Sequence, residues 1–263
     1  MPFPSSRTRS PKVGPLQVLP LGIGGAFSKF DYYCSLLILG GGTRCLIDCP
    51  DPIHKVLHEQ TSRAGLSVNA GDIEHLVLTH LHGDHSNGLE SLLFYRKYVA
   101  RVSPPTIYAL AETLEALWPR KLAVSMERSC LPAAGIDDTH EPEDFYETRV
   151  VDEGRSFSVG DLTFEIRRTQ HSVPTFGFRV SCGGRVFGYG CDTRFDAALI
   201  DFLSAADLVF HECGEEPLHT PYEKLMALDP GVRGKIHILH LADQFDRAGS
   251  ELPIVEPGRL YAV

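Results

Sequence analysis

From residue 16 onward, short apolar runs alternate with segments in which apolar residues recur every three or four positions. The short runs are rich in β-branched and aromatic residues and are bounded by Gly and Asp, which is typical of strands. Strands are predicted at 16–19, 35–39, 45–47, 75–79, 106–109, 162–168, 175–180, 185–189, 208–210, 236–239 and 259–262. Helices are predicted at 52–60, 89–100, 111–122, 196–205 and 221–228, and a hairpin-like pair at 145–151 and 157–159.

The order of these elements predicts an α/β fold. Strands come first, helices then appear between strands, and the same succession is repeated. We expect a mobile tail at residues 1–15, which are rich in Pro, Ser and Arg, and one domain over residues 16–263. Residues 125–144 are a long irregular segment with an acidic end, and we interpret them as a solvated surface loop or a lid.

Composition narrows the class of protein. With 43% hydrophobic and 22% charged residues, the chain has the composition of a soluble globular protein. Its 34 acidic and 25 basic residues give a net charge of −9, which argues against long nucleic acid as the main partner. The apolar stretch at 36–39 stops at Gly40, far short of a membrane span. Seven cysteines without a paired framework, and no N-terminal apolar segment, favour the cytoplasm.

A cluster of histidines follows an apolar strand and carries the strongest chemical signal. His80, His82, Asp84 and His85 lie within six residues. Imidazole and carboxylate groups are ligands for Zn²⁺ and its first-row neighbours. In an extended chain His80 and His82 point the same way, and Gly83 allows a turn that directs Asp84 and His85 elsewhere. The cluster therefore predicts a metal site.

Three further ionisable residues stand at the ends of other predicted strands. His171, Asp192 and His240 are each the first ionisable side chain beyond an apolar strand. Open α/β proteins place their sites at the carboxyl ends of strands. Any one of these residues could be an ordinary loop residue. Because all of them, like the histidine cluster, follow the end of a predicted strand, we expect them to converge on one site.

The pattern His-x-His-x-Asp-His, followed by His171, Asp192 and His240, resembles the metallo-β-lactamase fold superfamily. The resemblance extends over the chain from residue 16 and includes the Gly22-x-Gly24 turn. It implies a four-layer αββα sandwich with two divalent metal ions, most often Zn²⁺, with Mn²⁺ or Fe²⁺ as alternatives. It also implies these ligand sets: His80, His82 and His171 for one ion, Asp84, His85 and His240 for the other, and Asp192 with a hydroxide between them.

Two aspartates have further expected roles. Asp84, as a ligand or beside a ligated water, would position the nucleophile, so we count it as catalytic as well as metal-binding. Asp48 ends the strand at 45–47 and would hold the free N–H of a ligand histidine. As an alternative, Asp48 is an ordinary aspartate of a strand-terminal turn.

Residues 171–179 and the strand ending in His211 and Glu212 resemble the phosphodiesterase branch, in particular ribonuclease Z. The resemblance implies that His211 is the general acid that protonates the leaving oxygen, since an imidazole has a pKa near the working pH. The alternative is a structural histidine at the end of a strand. His219, in a loop, is a weaker candidate for lining the cleft.

The spacing of the later residues separates this chain from ribonuclease Z. His171 and Asp192 are 192 − 171 = 21 residues apart, which leaves no room for the long arm that holds tRNA in that enzyme. This spacing is similar to that in phosphodiesterases of small substrates, which act on phosphoribosyl cyclic phosphate or cyclic nucleotides. We therefore expect a homodimeric hydrolase of a small phosphodiester. The alternatives are a tRNA 3′-processing endonuclease, a thioester or lactone hydrolase, and a non-catalytic binding module.

Overall fold

The computed structural model describes residues 14–263, so the tail predicted at 1–15 lies outside the described residues except for its last two positions. The strands are β1 (Gln17–Gly22), β2 (Ser35–Gly40), β3 (Thr43–Ile47), β4 (His75–Val77), β5 (Thr106–Ala109), β6 (Arg128–Leu131), β7 (Ile136–Thr139), β8 (Glu147–Val150), β9 (Phe157–Val159), β10 (Leu162–Arg168), β11 (Phe176–Cys182), β12 (Arg185–Tyr189), β13 (Leu208–Glu212), β14 (Ile236–Leu239) and β15 (Tyr261–Ala262). The helices are α1 (Ile53–Arg63), α2 (Gly83–Ser86), α3 (Leu89–Phe94), α4 (Ala111–Leu117), α5 (Ala123–Met126), α6 (Ala197–Ser204), α7 (Tyr222–Met226) and α8 (Pro230–Arg233).

Two mixed sheets contain most of these strands. The first has the order β15-β1-β2-β3-β4-β5-β8, and the second has the order β14-β13-β12-β11-β10-β9. In both sheets the strands next to the histidine-rich loops run parallel: β3, β4 and β5 in the first sheet, and β12, β13 and β14 in the second. Their carboxyl ends therefore open on the same edge of each sheet.

Alternate side chains of each strand divide between an inner and an outer core. On β2, Leu36 and Ile38 pack between the sheets against aromatic residues such as Phe178. Leu37 points to the other face, where it packs with α1 residues such as Leu57. A third cluster joins the outer face of the second sheet to α6. These layers are helix, sheet, sheet and helix, which confirms the predicted αββα sandwich.

Two predictions about local structure are wrong. The segments at 145–151 and 157–159 do not form a hairpin, because β8 pairs in parallel with β5 at the edge of the first sheet while β9 pairs with β10 in the second. Residues 125–144 are not irregular: β6 and β7 form an exposed antiparallel hairpin there. Short strands of this kind choose their partners through long-range contacts, which the local pattern does not record.

The predicted long helices are interrupted. α3 and α4 continue as π-helical turns over Tyr95–Ala100 and Trp118–Leu122.

No helix within residues 14–263 combines the length and the apolar character needed to cross a bilayer.

Candidate metal centre

The first group of side chains lies between the ends of the two sheets. The Nε2 atoms of His80 and His171 lie 3.2 and 3.1 Å from Nδ1 of His82. The same two Nε2 atoms lie 3.9 and 3.8 Å from Oδ2 of Asp192. The ligand atoms of these four residues all lie within 4.8 Å of one another, a spacing at which one ion could contact all of them.

A second group adjoins the first and also contains Asp192. Oδ2 of Asp84 lies 3.4 Å from Nε2 of His85 and 3.4 Å from Nε2 of His240. The same two nitrogens each lie 3.4 Å from a carboxylate oxygen of Asp192, Oδ1 for His85 and Oδ2 for His240. Asp192 is therefore the carboxylate that the two groups share.

Hydrogen bonds on the far side of the rings determine which nitrogens face the centre. Nδ1 of His85 donates to Oδ2 of Asp48 at 2.8 Å, and the amide and hydroxyl of Thr79 donate to the same carboxylate. Because the Thr79 hydroxyl proton goes to Asp48, its oxygen can accept from Nδ1 of His80 at 3.0 Å. Both rings then present an unprotonated Nε2 to the centre, as metal ligation requires.

The local chain path explains how one short motif serves both groups. The chain leaves β4 in extended form as far as His82 and enters α2 at Gly83, so Asp84 and His85 lie on a helical turn and point away from His80. Two other residues, one behind the centre and one in it, have a strained backbone. Asp48 and His240 both have a φ of 58°, a left-handed conformation that non-glycine residues adopt at a cost of about 1–3 kcal/mol.

Two buried ligand atoms of the centre lack a hydrogen-bond partner within residues 14–263. Nε2 of His85 and Oδ1 of Asp192 are buried and have no hydrogen-bond partner in the part of the chain that the structure describes. Although burial opposes both shifts, the carboxylates of Asp192 and Asp48 raise the pKa of His85, and His240 and His85 lower the pKa of Asp192. Converging imidazole and carboxylate donors with unsatisfied atoms suit divalent metal ions.

The structure does not bring His211 into either group. Its ring is almost fully buried, and Nδ1 donates to the backbone oxygen of Glu212 at 2.7 Å. Burial lowers the pKa of His211. A Cβ atom on Gly190 would lie only 2.7 Å from the His211 ring, which shows how closely the backbone packs against it. His211 is thus a buried, closely packed residue that belongs to neither group.

Sequence reasoning missed the pair formed by Glu212 and His219. Oε2 of the buried Glu212 lies 3.4 Å from Nδ1 of His219, and Oε1 accepts from the amides of Thr193 and Thr220. The His219 ring centre lies 5.0 Å from that of His240, and the side chain remains 25% exposed. Strand alternation was the available signal: neighbours on β13 point to opposite faces, so His211 and Glu212 cannot both face the centre.

Comparisons with known proteins identify the family of this chain. The family model described as "Anti-Pycsar protein Apyc1" matches residues 16–259. The anti-Pycsar protein Apyc1 of Paenibacillus sp. (strain J14) is 28% identical over 238 residues, which cover 88% of this chain and 91% of that protein. The cAMP/cGMP-dependent 3′,5′-cAMP/cGMP phosphodiesterase B of Dictyostelium discoideum is 25% identical over 254 residues, which cover 89% of this chain and 21% of that protein.

A solved structure shows the same fold. The metallo-β-lactamase fold protein YhfI from Bacillus subtilis superimposes with a TM-score of 0.74 and 19% identity, covering 94% of this chain and 99% of that one. This likeness confirms the predicted fold, and the Dictyostelium discoideum relative carries the name of the predicted enzyme class, a phosphodiesterase. Because the family model spans nearly all of residues 16–263, the chain belongs to the anti-Pycsar Apyc1 family.

Proposed function

We propose that this chain hydrolyses the phosphodiester of a small cyclic nucleotide at the centre built around Asp192. The observation that carries the proposal is the sharing of this buried carboxylate by two groups of ligand atoms. Two relatives from Dictyostelium discoideum, named as cyclic-nucleotide phosphodiesterases, support the substrate class. Two divalent ions, with Zn²⁺ preferred over Mn²⁺ or Fe²⁺, would supply an activated water and neutralise phosphate charge.

We assign the seven residues named from the sequence to two proposed metal sites in the way that the resemblance implies. His80, His82 and His171 form one set, Asp84, His85 and His240 form the other, and Asp192 is shared. Asp84 also borders the open side of the centre with 9% exposure. Burial raises its pKa, but the neighbouring imidazoles of His240 and His85 outweigh burial, lower the pKa overall and keep the carboxylate ionised. Asp84 can therefore accept a hydrogen bond from the attacking water and orient it.

The proton for the leaving oxygen has two candidate donors. The sequence favours His211, which is buried and whose Nδ1 donates to the backbone oxygen of Glu212. The geometry favours His219, because it is partly exposed, lies beside His240 and has the Glu212 carboxylate behind its Nδ1. A carboxylate in that position can orient the imidazole towards the substrate. We therefore propose His219 as the proton donor.

The connection between His171 and Asp192 supports a small substrate. β11 and β12 pair directly across a Gly183-Gly184 turn, and they occupy nearly the whole of this connection. It therefore contains no long arm that could hold an RNA. Homodimer formation and a cytoplasmic location stay predictions, which light scattering and cell fractionation would test.

The test is hydrolysis of adenosine 3′,5′-cyclic monophosphate by freshly purified protein, with the metal content measured on the same sample. We expect turnover with about two metal ions per chain. The His82→Ala variant should lose turnover, whereas Asp138→Asn, on the exposed hairpin, should retain it. Metal-loaded protein that cleaves a thioester, a lactone or a tRNA precursor, but no cyclic nucleotide, would overturn the proposal.

A further inference from the structure

A cavity of about 520 Å³ opens beside the metal centre. His219 and His240 line it on the side of the centre, and the rest of the wall comes from the loops at 25–29, 214–218 and 242–244. This volume lies in the range of small-ligand sites. A substrate whose phosphodiester contacts the metal centre has this cavity available for the remainder of the molecule.

Phe27 lies on the wall of this cavity, and its side chain is 93% exposed. Its loop is nevertheless held firmly. The Ser28 hydroxyl donates to Oδ1 of Asp243 at 2.8 Å, and the Lys29 amide donates to Oδ2 of the same residue at 2.9 Å. Arg247 adds an ion pair to Asp31. An apolar ring is therefore kept in solvent by a fixed backbone, and its face is free to contact a ligand.

The backbone that carries Phe27 also contacts a proposed metal ligand. The amide of Gly25 donates to the backbone oxygen of Leu241 at 3.1 Å. A Cβ atom on Gly25 would lie 3.4 Å from the ring of His240, so this glycine brings the loop directly against that residue. Because Phe27 follows Gly25 by two residues, these contacts hold its backbone close to the metal centre.

We propose that Phe27 stacks on the nucleobase of the substrate. This inference rests on the proposed function, because it takes the phosphodiester to lie at the metal centre and the base to extend into the cavity. Every nucleobase has a π-face, so stacking on an aromatic side chain contributes affinity without selecting one base. Pro217 and Leu218 also line the cavity and offer the base apolar surface. The role of Phe27 is binding, so its loss should raise KM more than it lowers kcat.

Phe30 provides a matched control. It lies on the same loop and is 81% exposed, but it borders a different depression, formed with residues such as Tyr33 and Pro52. Replacement of either phenylalanine removes one exposed aromatic ring from the loop. Only the replacement at position 27 removes a ring from the cavity beside the metal centre.

The experiment compares two substrates by steady-state kinetics on metal-loaded protein. One is adenosine 3′,5′-cyclic monophosphate, and the other is methyl riboside 3′,5′-cyclic phosphate, which has the same phosphodiester but no base. In the Phe27→Ala variant we expect KM for the nucleotide to rise about tenfold or more, with little change for the abasic compound. Phe27→Trp should restore the affinity, and Phe30→Ala should behave as the wild type.

The possible failures are distinguishable. If the wild type cleaves the nucleotide and Phe27→Ala leaves its KM unchanged, or changes both substrates equally, the stacking role is wrong while the proposed function stands. If Phe27→Ala alters the molecular mass in light scattering, Phe27 packs against a second copy of the chain and the stacking role is again wrong. A wild type that does not cleave the nucleotide overturns the proposed function and the stacking role together.

Discussion

His85 and Asp48 form a buried hydrogen bond of 2.8 Å between Nδ1 and Oδ2, and neither residue is accessible to solvent. The bond joins the turn after β3 to the short helix α2, two parts of the chain separated by 37 residues. It orients the ring so that Nε2 faces Asp192 at 3.4 Å. Asp48 therefore determines the direction of a metal-binding group without facing the metal centre itself.

Replacement of Asp48 by asparagine tests this relationship. The amide keeps the size of the side chain but removes the negative charge that holds the His85 N–H. We expect metal affinity to fall about 10- to 100-fold, as found when such orienting groups are lost. Metal retained after dialysis against graded chelator measures the effect, with Asp138→Asn as the exposed control. Unchanged retention in Asp48→Asn would show that His85 is oriented by other contacts.

Removal of the metal ions should make stability depend on pH above the ordinary pKa of histidine, about 6.5. Although burial lowers them, the pKa values of His85 and His240 are raised overall by Asp192 and its neighbours. A raised pKa in the folded state gives stability that is present below the unfolded value, about 6.5, and is lost as the pH rises through the folded value. We therefore expect the Tm of chelator-treated protein to fall as the pH rises above about 6.5.

Thermal unfolding followed by circular dichroism measures this slope. Metal-loaded protein should show little slope over the same range, because ligation holds the histidines neutral. The metal-free His240→Gln variant should have a flatter slope than the metal-free wild type, since one of the two raised groups is gone. A Tm of the metal-free wild type that increases over this range would contradict the assigned charges.

The choice between His219 and His211 as proton donor has a kinetic signature. An alkoxide leaving group needs a proton, whereas p-nitrophenolate leaves without one. We expect His219→Asn to lower kcat for the cyclic nucleotide about 10²- to 10⁴-fold and to change hydrolysis of bis(p-nitrophenyl) phosphate much less. His211→Asn should lower stability without this selectivity. If the selective loss appears in His211→Asn instead, the assignment made from the sequence is right and the one made from geometry is wrong.

Because Gly190 packs against the His211 ring, we expect substitutions at these two positions to have coupled effects on the free energy of unfolding. An alanine Cβ at position 190 would lie 2.7 Å from Cδ2 of His211, inside any real contact distance. We expect Gly190→Ala to lower the free energy of unfolding by about 1–3 kcal/mol. In the His211→Ala background the same substitution should cost less, because the ring is absent. Urea unfolding of the four proteins measures the coupling, and equal costs in the two backgrounds would contradict the contact.

The sequence by itself predicted the fold and brought together the proposed metal ligands, because both depend on local signals. Alternating apolar residues mark strands such as β2, and the donors of the His80–His85 motif are next to one another in the chain. The residues at 171, 192 and 240 were found because strand ends are visible as the points where apolar runs stop. The pairing of His219 with Glu212 and the hairpin at β6 and β7 were not found in this way.

Only the tertiary structure decided which side chains of neighbouring residues reach the centre. His211 and Glu212 are adjacent on β13, yet one ring is packed against Gly190 while the other side chain meets His219 from a separate loop. The exposed ring of Phe27 gains its place beside the cavity through Asp243, more than 200 residues away. Contacts between distant segments depend on how the sheets pack. The sequence therefore determined which chemical groups are available, and the packing of the two sheets determined which of them meet.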